Sequence, residues 1–396
     1  MKSALALLLV TVFLNIAGFS LILPLLPFYG PEFGASSFGV ACLFAAYSLG
    51  NVFGEIFWGR RSDIIGRRPV LIITTAGAAL SYVAFAFAPT LGAAIAIRIV
   101  SGLFSGTFGV VASAIADLSP PQQRARFMGY FGATFNLGFA AGPAIGGLLA
   151  NPAAGLPGFR LPIFVAAALT AGASLWAMAV LPETRPAGAR VRAAPSYGEA
   201  FRYVSSNPLL WRLFLIAFCG IAAFASMEAV FGLWTERNYG WASREVGLTF
   251  VAVGGAGLFV QALLIGPLVA RFGEARVILG GIVLLVFAIA LQPLLRMPVT
   301  SVILMSLLMA GHSLAFPNAG ALVSRTTPPD RQGSVMGLNM ASNALSRIIA
   351  PPFFGWMFGW HADAPYLFCA LLIAAMIPVA LQVVVQRREA ALQSAA

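Results

Sequence analysis

Four charged side chains of this sequence lie within long, mostly apolar runs: Glu55, Glu228, Arg98 and Arg347. Removing an ionised side chain from water is costly, so charges in such surroundings usually serve a function. A buried carboxyl group favours its neutral form, and Glu228 is therefore the predicted proton-coupling residue. Glu55 is compatible with a second proton-coupling role and with a structural one. Arg98 is compatible with a bond inside its own half of the chain and with a role in coupling or substrate binding.

Arg347 follows Asn339 and Asn343 at intervals of four residues, which places the three side chains on one face of a helix. A guanidinium group does not titrate near neutral pH. This face therefore predicts a site for a substrate that carries a carboxylate or another acidic group. Five further polar residues in apolar runs are candidates for substrate binding: Asn15, Asn136, Gln261, His312 and Asn318. For His312, a hydrogen-bonded position in the helical core is the competing interpretation.

Twelve apolar runs must position these residues. Each is long enough to cross the hydrocarbon core as a helix, which takes about 20 residues, whereas strands of a membrane barrel would alternate over about ten. The sequence therefore predicts an all-α membrane protein with twelve transmembrane helices, the first of them an uncleaved helix rather than a signal peptide. We label these helices α1 to α12, and they cover residues 4–29, 37–58, 69–88, 90–116, 126–150, 160–181, 208–235, 244–268, 275–295, 299–323, 333–358 and 364–386.

The composition agrees with a membrane protein, since 60% of the 396 residues are hydrophobic and 9% are charged. Most of the 24 lysines and arginines lie in the loops on one side of the predicted helices. This asymmetry predicts that those loops and both termini are cytoplasmic. It also explains the net charge of +11 without a nucleic acid partner. We expect a multi-pass monomer in a bacterial-type inner membrane, surrounded by the lipid bilayer.

Patterns for catalysis and cofactor binding are missing from the sequence. Lys2 is the only lysine, which excludes a phosphate-binding Gly-Lys-Ser/Thr loop. The two histidines and three separated cysteines have no metal-ligand spacing. We therefore expect neither an enzyme nor a protein that holds a metal or another cofactor.

The two halves of the chain repeat each other. Four residues of the first half recur 208 positions later: Ser119, Met128, Pro143 and Gly147 as Thr327, Met336, Pro351 and Gly355. Such a repeat predicts two pseudo-symmetric six-helix bundles, residues 1–182 and 208–396, with a site between them near the bilayer midplane. Residues 183–207 form the predicted cytoplasmic linker. Within it, residues 196–204 fit a short helix on the membrane surface or a flexible segment.

A turn with four arginines joins α2 to α3. Gly59 permits a close approach of α2 to a neighbouring helix, and Gly66 permits a tight turn. Asp63 is predicted to accept hydrogen bonds at the N-terminus of another helix, and one of the last two arginines to pair with Asp117 at the end of α4. We predict a conformational latch on the cytoplasmic side, with a solvated loop as the alternative. The latch residues are Gly59, Asp63, Gly66, Arg67, Arg68 and Asp117. The corresponding turn between α8 and α9 has Ala270 in place of the aspartate, so a degenerate copy is expected there.

Helix α5 carries small residues at helical spacing around a proline. Small residues four positions apart form a groove in which another helix can approach closely, and the proline weakens the helix by removing a backbone hydrogen bond. The residues of this series are Gly138, Gly142, Pro143, Gly146 and Gly147.

These motifs resemble those of the major facilitator superfamily. The charged turn between α2 and α3 is similar to the loop of that family between helices two and three, and the α5 series resembles the signature of its drug:proton antiporter branch. Arg98 with Gly102 and Gly106 is similar to the arginine motif of helix four, with Ser101 where a glutamine is common. The run 14–18 of α1 with Pro24 and Pro27, and the run 234–241 after α7, are similar to those of tetracycline efflux proteins. The sequence resembles these proteins over essentially the whole chain, but Asn15 stands where they usually have an aspartate.

The resemblance implies the major facilitator fold and secondary active transport by alternating access. The substrate is then expected to be a lipophilic, drug-like small molecule whose efflux is coupled to protons, with Glu228 taking up a proton from outside and releasing it inward. An organic-anion transporter or a uniporter of the same fold is the alternative that Asn15 and Arg347 favour. A non-transporting membrane scaffold is a third interpretation, which accounts for the helices but not for the motifs.

Overall fold

The structure is a computed structural model that describes residues 2–120, 123–185, 197–328 and 330–395. Nearly all of these residues are helical and none of them forms a strand. The twelve predicted helices are all present. Their bounds are α1 Lys2–Leu21, α2 Ser37–Ile65, α3 Arg67–Ala86, α4 in two segments, Leu91–Leu103 and Thr107–Leu118, α5 Arg124–Leu149, α6 Arg160–Val180, α7 Pro208–Tyr239, α8 Ser243–Phe272, α9 Glu274–Leu291, α10 Pro298–Thr326, α11 Gln332–Trp360 and α12 in two segments, Ala364–Ala374 and Met376–Ala395.

Ten of the described helices are long and apolar enough to cross a membrane. The other two, α5 and α11, have 26 and 29 residues but are less apolar, because glycines, prolines and polar residues interrupt them. These two helices carry the glycine series and the face with Arg347. The lower hydropathy therefore coincides with the motifs singled out in the sequence.

Polar residues and glycines set several helix ends. Ser36 caps α2 and Thr90 caps α4, each by accepting a hydrogen bond from the backbone N–H three residues further on. A single residue, Gly66, separates α2 from α3 with a φ of 102°, and Gly273 separates α8 from α9 with a φ of 79°. Positive φ values of this kind favour glycine. The two glycines stand at equivalent places in the two halves.

The repeat also holds at the ends of α4 and α10. The Ser119 hydroxyl donates to the carbonyl of Ile115, and the Thr327 hydroxyl donates to the carbonyl of Val323 over 2.7 Å. Both donors and both acceptors are related by the offset of 208 that the sequence predicts. The local geometry of the two halves is therefore alike where the sequences are alike.

Contacts within the chain divide it into two units. One boundary between them falls in the predicted linker and the other two fall inside α7 and α8. The units therefore do not coincide with the predicted domains, and the division into two six-helix bundles stays a prediction. The first unit consists of Met1–Ala193 with Phe231–Gly254, and the second of Ala194–Val230 with Gly255–Ala396.

In the first unit α1 packs against α5 and α6, α2 against α4, and α3 against α6. Aliphatic and aromatic side chains from α1, α3, α4 and α5 form a buried core, among them Leu8, Val12, Leu71, Val111 and Phe131. In the second unit α9 packs against α10 and α12. These contacts hold the helices on which the candidate residues lie.

The predicted linker is described in part, since residues 186–196 lie outside the described residues. The chain that follows forms a linker helix, Tyr197–Ser206, where the sequence offered a helix or a flexible segment. Its buried face contains Ala200 and Val204, and it packs against α11 within the second unit. At that contact the Arg331 guanidinium lies 4.8 Å from the centre of the Tyr203 ring.

Candidate functional site

Arg67 is the centre of a charged cluster at the turn between α2 and α3. Its Nη1 lies 2.7 Å from Asp63 Oδ1, and its Nε lies 3.1 Å from Asp117 Oδ2. Nη1 also donates to the Ser62 hydroxyl over 2.6 Å. Of the two arginines that the sequence offered as partners of Asp117, the structure selects Arg67, which is only 9% exposed. This residue ties the end of α2, the start of α3 and the end of α4 together.

The carboxylate at the N-terminus of α3 belongs to Glu183, and the role of Asp63 as an acceptor at the N-terminus of another helix stays a prediction. Glu183 Oε1 accepts from the backbone N–H of Arg67 over 2.8 Å, and Oε2 accepts from that of Arg68 over 3.2 Å. Asp63 lies in the last turn of α2 and pairs with the Arg67 side chain. Because Gly66 turns the chain, the free N–H groups of α3 face the segment after α6. A side chain on Gly66 would overlap the Glu183 carboxylate.

Sequence reasoning missed Glu183, although one signal was available. Gly66, the residue before α3, has no side chain with which to cap the helix, so the acceptor had to come from elsewhere. Two arginines complete the connection between this turn and α6. Arg68 Nη2 donates to the carbonyl of Met178 over 2.6 Å, and Arg185 Nη1 donates to the carbonyl of Ile64 at the end of α2 over 3.0 Å.

The close approach predicted at Gly59 does not occur. A Cβ atom built at this position would have no atom of another helix within 4 Å. The close contacts of α2 lie further from the turn, where a Cβ atom on Gly54 would lie 2.5 Å from the carbonyl oxygen of Leu103 in α4. The carbonyl of Gly59 instead accepts from the Ser62 hydroxyl over 2.7 Å. In the described residues, Gly59 therefore shapes the end of α2 and not its packing.

The corresponding turn of the second half contains an ion pair of reversed polarity. Glu274, the residue after Gly273, lies with its Oε1 2.9 Å from Arg325 Nη1. Glu274 follows Gly273 as Arg67 follows Gly66, at an offset of 207, and Arg325 lies 208 positions after Asp117. The Ala270 position has lost its carboxylate, but the connection from the start of the third helix to the end of the fourth is present.

The glycine series of α5 packs closely, as predicted, and it does so on two sides. On one side a Cβ atom on Gly142 would lie 2.5 Å from the carbonyl oxygen of Ala17 and would overlap the Ser20 hydroxyl, both in α1. The Ser20 hydroxyl donates to the carbonyl of Gly138 over 3.1 Å. On the other side a Cβ atom on Gly147 would lie 2.5 Å from the carbonyl oxygen of Ser243 at the start of α8.

Gly146 continues the contact with α1, since a Cβ atom there would overlap the carbonyl oxygen of Leu21. On the α8 side Pro143 takes part as well, because a Cβ atom on Gly247 would lie 2.5 Å from the Pro143 carbonyl oxygen. The backbones of α1, α5 and α8 thus approach to distances at which side chains do not fit. All of these contacts lie within the first unit.

Helix α4 is interrupted between Leu103 and Thr107, and the side chains of α2 bind the backbone and side-chain groups at the break. Glu55 Oε2 accepts from the backbone N–H of Gly109 over 3.3 Å. Trp58 Nε1 donates to the carbonyl of Leu103 over 2.8 Å, and the Asn51 amide donates to the Ser105 hydroxyl over 2.6 Å. A carboxylate near a helix N-terminus interacts favourably with its dipole.

We call these three hydrogen bonds from α2 to the break in α4 the α2–α4 clamp. Within this clamp, the Glu55 carboxylate has a hydrogen-bond donor, the Gly109 backbone N–H. Asn51, Glu55 and Trp58 lie at helical spacing on one face of α2. Their contacts satisfy groups that the break in α4 leaves without helical partners. The structural interpretation of Glu55 is therefore favoured over the proton-coupling one.

Arg98 lies in α4 and is 2% exposed. Its Nε donates to the carbonyl of Leu43 in α2 over 3.2 Å. Its guanidinium carbon lies 4.9 Å from the centre of the Tyr47 ring and 6.0 Å from that of Phe85. These contacts lie within its own half of the chain, and guanidinium–ring attraction of this kind is favourable in a desolvated site. The arrangement agrees with the structural interpretation of Arg98.

Glu228 is 6% exposed in the middle of α7, a helix that is otherwise mostly apolar. It belongs to the second unit, together with α10 and α11. On α11, Asn339, Asn343 and Arg347 follow one another on one face of the continuous helix, and Asn339 is 6% exposed. The structure thus places an acidic residue and the polar α11 face in the same unit.

His312 of α10 lies between two phenylalanines. The Phe224 and His312 rings stack with their centres 4.5 Å apart and an angle of 30° between their planes, and the Phe316 ring centre is 4.6 Å from that of His312. Arg347 lies within electrostatic range of this histidine. Among the described residues, His312 Nδ1 and the Oδ1 atoms of Asn339 and Asn343 have no hydrogen-bond partner. Buried polar atoms are rarely left in this state, and the three residues therefore stay candidates for substrate binding.

The remaining substrate-binding candidates are distributed over both units. Asn15 of α1 and Asn136 of α5 are half-buried in the first. In the second, the Asn318 amide donates to the carbonyl of Leu314 in its own helix over 2.7 Å. Gln261 lies in a π-helical turn, Val260–Leu264, within α8, and such turns are frequent at functional sites.

Comparison with known proteins agrees with this architecture. The model of the Major Facilitator Superfamily matches residues 8–264 and 229–395. The chain is 33% identical over 383 residues to the class G tetracycline resistance protein of Vibrio anguillarum, covering 92% of each chain. It is 32% identical over 373 residues to the class B tetracycline resistance protein of Escherichia coli, covering 89% of this chain and 88% of that protein.

Among solved structures, the crystal structure of the nucleoside transporter NupG aligns with a TM-score of 0.75 at 17% identity, covering 96% of this chain and 98% of that one. At this identity the likeness concerns the fold, which is the one that the twelve helices predict. The family match extends over nearly the whole chain. The chain therefore belongs to the major facilitator superfamily and is a multi-pass membrane transporter.

Proposed function

We propose that this protein exports a lipophilic, drug-like compound in exchange for protons, by alternating access in a bacterial-type inner membrane. The two relatives named for tetracycline resistance support this substrate class. The observation that carries the proton coupling is the burial of Glu228, which is 6% exposed in the apolar α7. An ionised carboxyl group is costly in such surroundings, and the uptake of one proton removes its charge.

In the proposed cycle, Glu228 takes up a proton from outside as the substrate leaves, and releases it inward before the next substrate binds. The substrate binds in the second unit, where polar atoms of His312, Asn339 and Asn343 have no partner among the described residues. The rings of Phe224 and Phe316 beside His312 supply an apolar and aromatic surface. A lipophilic compound with a few polar groups matches this combination.

The latch around Arg67 is proposed to lie on the cytoplasmic side. Its contacts join α2, α3 and α4 of the first bundle, and we propose that it holds these helix ends together while the two bundles, residues 1–182 and 208–396, rock against each other. The four arginines of its turn support this orientation, since basic loops stay in the cytoplasm. Both termini lie on the same side. We propose that the protein works as a monomer and that transport, rather than catalysis, is its activity.

The proposal is tested with purified protein in proteoliposomes under an imposed pH gradient, with cationic, neutral and acidic compounds as substrates. Glu228→Gln removes the titratable group and keeps the size of the side chain. We expect this variant to retain substrate binding and to lose pH-driven transport. The matched control is Glu199→Gln, which changes an exposed carboxylate of the linker helix and should transport like the unchanged protein. Full coupling in Glu228→Gln would refute the assignment.

An organic-anion transporter or uniporter of the same fold is the second candidate. Its support is Arg347, which forms no ion pair with any described residue, and Asn15 in place of a titratable residue. Arg347→Glu should then abolish transport of acidic compounds and spare neutral ones, whereas Arg347→Lys keeps the charge and should retain both. Unchanged transport of acidic compounds by Arg347→Glu contradicts this candidate.

A further inference from the structure

A groove of about 630 Å³ opens on the surface of the first unit, between α2 and the break in α4. Aromatic side chains form most of its wall, including Phe53, Phe57, Trp58 and Phe104. Phe53 is 59% exposed and Phe57 is 56% exposed. Contact between water and this much aromatic surface is unfavourable. In a membrane protein such a groove is therefore expected to be covered by an apolar ligand or by lipid.

The wall of the groove is held in place by specific contacts. Trp58 Nε1 donates to the carbonyl of Leu103 over 2.8 Å, which fixes the orientation of the indole. The ring of Phe57 meets that of Trp58 edge-on at 4.9 Å, and the rings of Trp58 and Phe104 stack at 6.1 Å. The hydrogen bond and the ring contacts therefore fix the shape of the groove.

Two arginines, Arg60 and Arg61, line the end of the groove that lies next to the charged turn. Both are exposed, and within the described residues neither forms an ion pair. Arg67, in the same charged turn, differs from both, since Asp63 and Asp117 neutralise its charge. The groove thus joins an apolar aromatic trough to two permanent positive charges that have no counter-charge in the described chain.

We propose that this groove binds one anionic phospholipid, with an acyl chain along the aromatic wall and the phosphate on Arg60 and Arg61. Guanidinium groups bind phosphate oxygens in paired hydrogen bonds, and basic residues beside a membrane helix attract anionic lipids. A small soluble anion would leave the aromatic wall uncovered, and a neutral lipophilic compound would leave both arginines without a counter-charge. In the orientation proposed above, the lipid comes from the cytoplasmic leaflet.

The bound lipid would lie against the part of α2 that clamps the break in α4. Trp58 belongs to the groove and also to that clamp, so occupancy of the groove should make the contact between α2 and α4 more stable. The inference depends on the proposed orientation for the choice of leaflet only. Lipid binding itself is measured without transport, so a failure of the proposed efflux function would leave this test unaffected.

The test compares lipid retention by the full-length protein, using native mass spectrometry of protein released from nanodiscs of phosphatidylglycerol or phosphatidylcholine. We expect one tightly retained phosphatidylglycerol and no comparable retention of phosphatidylcholine. The double variant Arg60→Gln/Arg61→Gln should retain phosphatidylglycerol about thirtyfold more weakly. The double variant Arg271→Gln/Arg276→Gln removes the same charge from exposed positions of the second unit and should retain the lipid normally.

A third variant, Phe53→Ala/Phe57→Ala, tests the aromatic wall and should weaken retention while the arginines are intact. Circular dichroism and gel filtration verify that each variant is folded. Equal retention by Arg60→Gln/Arg61→Gln and the unchanged protein would overturn the proposal, as would equal retention of the two lipids. Displacement of the lipid by a transported compound, with loss of that compound's binding in the aromatic variant, would assign the groove to substrate and would also overturn it.

Discussion

Glu274 and Arg325 form an ion pair of 2.9 Å at the turn that corresponds to the one where the first half of the chain has Arg67 and Asp117. In each pair one partner is the first residue of a helix that follows a glycine of positive φ, α3 or α9. The other partner lies at the end of the next helix, α4 or α10. The acid and the base have changed places between the halves, and the attraction between them is the same in either order. The element that the repeat preserves is therefore the connection between two helix ends rather than a residue type.

The two ion pairs should differ in strength because they differ in burial. Arg67→Gln leaves Asp63 and Asp117, both less than one quarter exposed, without their shared cation. We expect a loss of about 3 kcal/mol in the free energy of unfolding, since removing one partner of a buried pair leaves an unpaired charge. Arg325 is 71% exposed, so Arg325→Gln should cost at most about 1 kcal/mol.

Chemical unfolding in detergent, followed by tryptophan fluorescence, measures both variants under one set of conditions. The order of the two effects is the decisive result. A larger loss in Arg325→Gln than in Arg67→Gln would contradict the interpretation that burial determines the strength of the latch.

Glu183 should determine the stability of the first turn of α3. Glu183→Ala removes the acceptors of the Arg67 and Arg68 backbone N–H groups, and the loss of a helix cap costs about 0.5–2 kcal/mol. Glu183→Gln keeps one acceptor oxygen and should have a smaller effect. Hydrogen–deuterium exchange of the peptide that contains Arg67 and Arg68 should be fastest in Glu183→Ala, slower in Glu183→Gln and slowest in the unchanged protein. Glu199→Ala, in the linker helix, is the control, and equal exchange in all variants would refute the capping role.

The glycines of α5 allow a comparison within one helix. Gly142→Ala places a methyl group against the Ser20 hydroxyl and the Ala17 carbonyl oxygen, and because the latter is backbone, α1 and α5 must move apart. We expect strong destabilisation, of about 3 kcal/mol or more by analogy with overpacked cores, and loss of transport. On the same helix, a Cβ atom at Gly132 has no neighbour within 4 Å. Gly132→Ala should therefore be neutral or more stable by up to about 1 kcal/mol.

Thermal unfolding and proteoliposome transport of the two glycine variants give the comparison. If both variants behave alike, the close packing of α1 and α5 is not what the series provides. A loss of transport in Gly142→Ala without a loss of stability would place the effect in the movement of the helices rather than in their assembly.

The helices and the repeat were predictable because apolar runs and a constant offset are properties of the linear sequence. The face formed by Asn339, Asn343 and Arg347 was predictable for the same reason, since helical spacing alone places them together. The partner of the α3 N-terminus was not, because Glu183 is 116 residues from Arg67 along the chain. Which residue fills such a position depends on how α6 packs against α3, and a single sequence does not contain that information.

Tertiary packing also determines which glycine of α2 makes a close contact with α4. Gly59 belongs to the charged turn, but the contact with α4 is made at Gly54, which stands in an ordinary apolar context. The position of the break in α4 decides this, since the backbone groups freed there attract the polar side chains of α2. No spacing rule would have predicted that Trp58 donates to the carbonyl of Leu103.

Glu55 offers the clearest separation of a structural role from proton coupling. Its Oε2 accepts from the Gly109 backbone N–H at the start of the second segment of α4. An amide oxygen can accept the same bond, so Glu55→Gln should lose only the charge–dipole part, about 0.3–1 kcal/mol, and should keep pH-driven transport. Glu55→Ala removes the acceptor and should lose about 1–3 kcal/mol of stability. The measurement is pH-driven uptake in proteoliposomes beside thermal unfolding. Loss of coupling in a stable Glu55→Gln protein would return Glu55 to the proton pathway, and with it the question of how protons pass between α2 and Glu228.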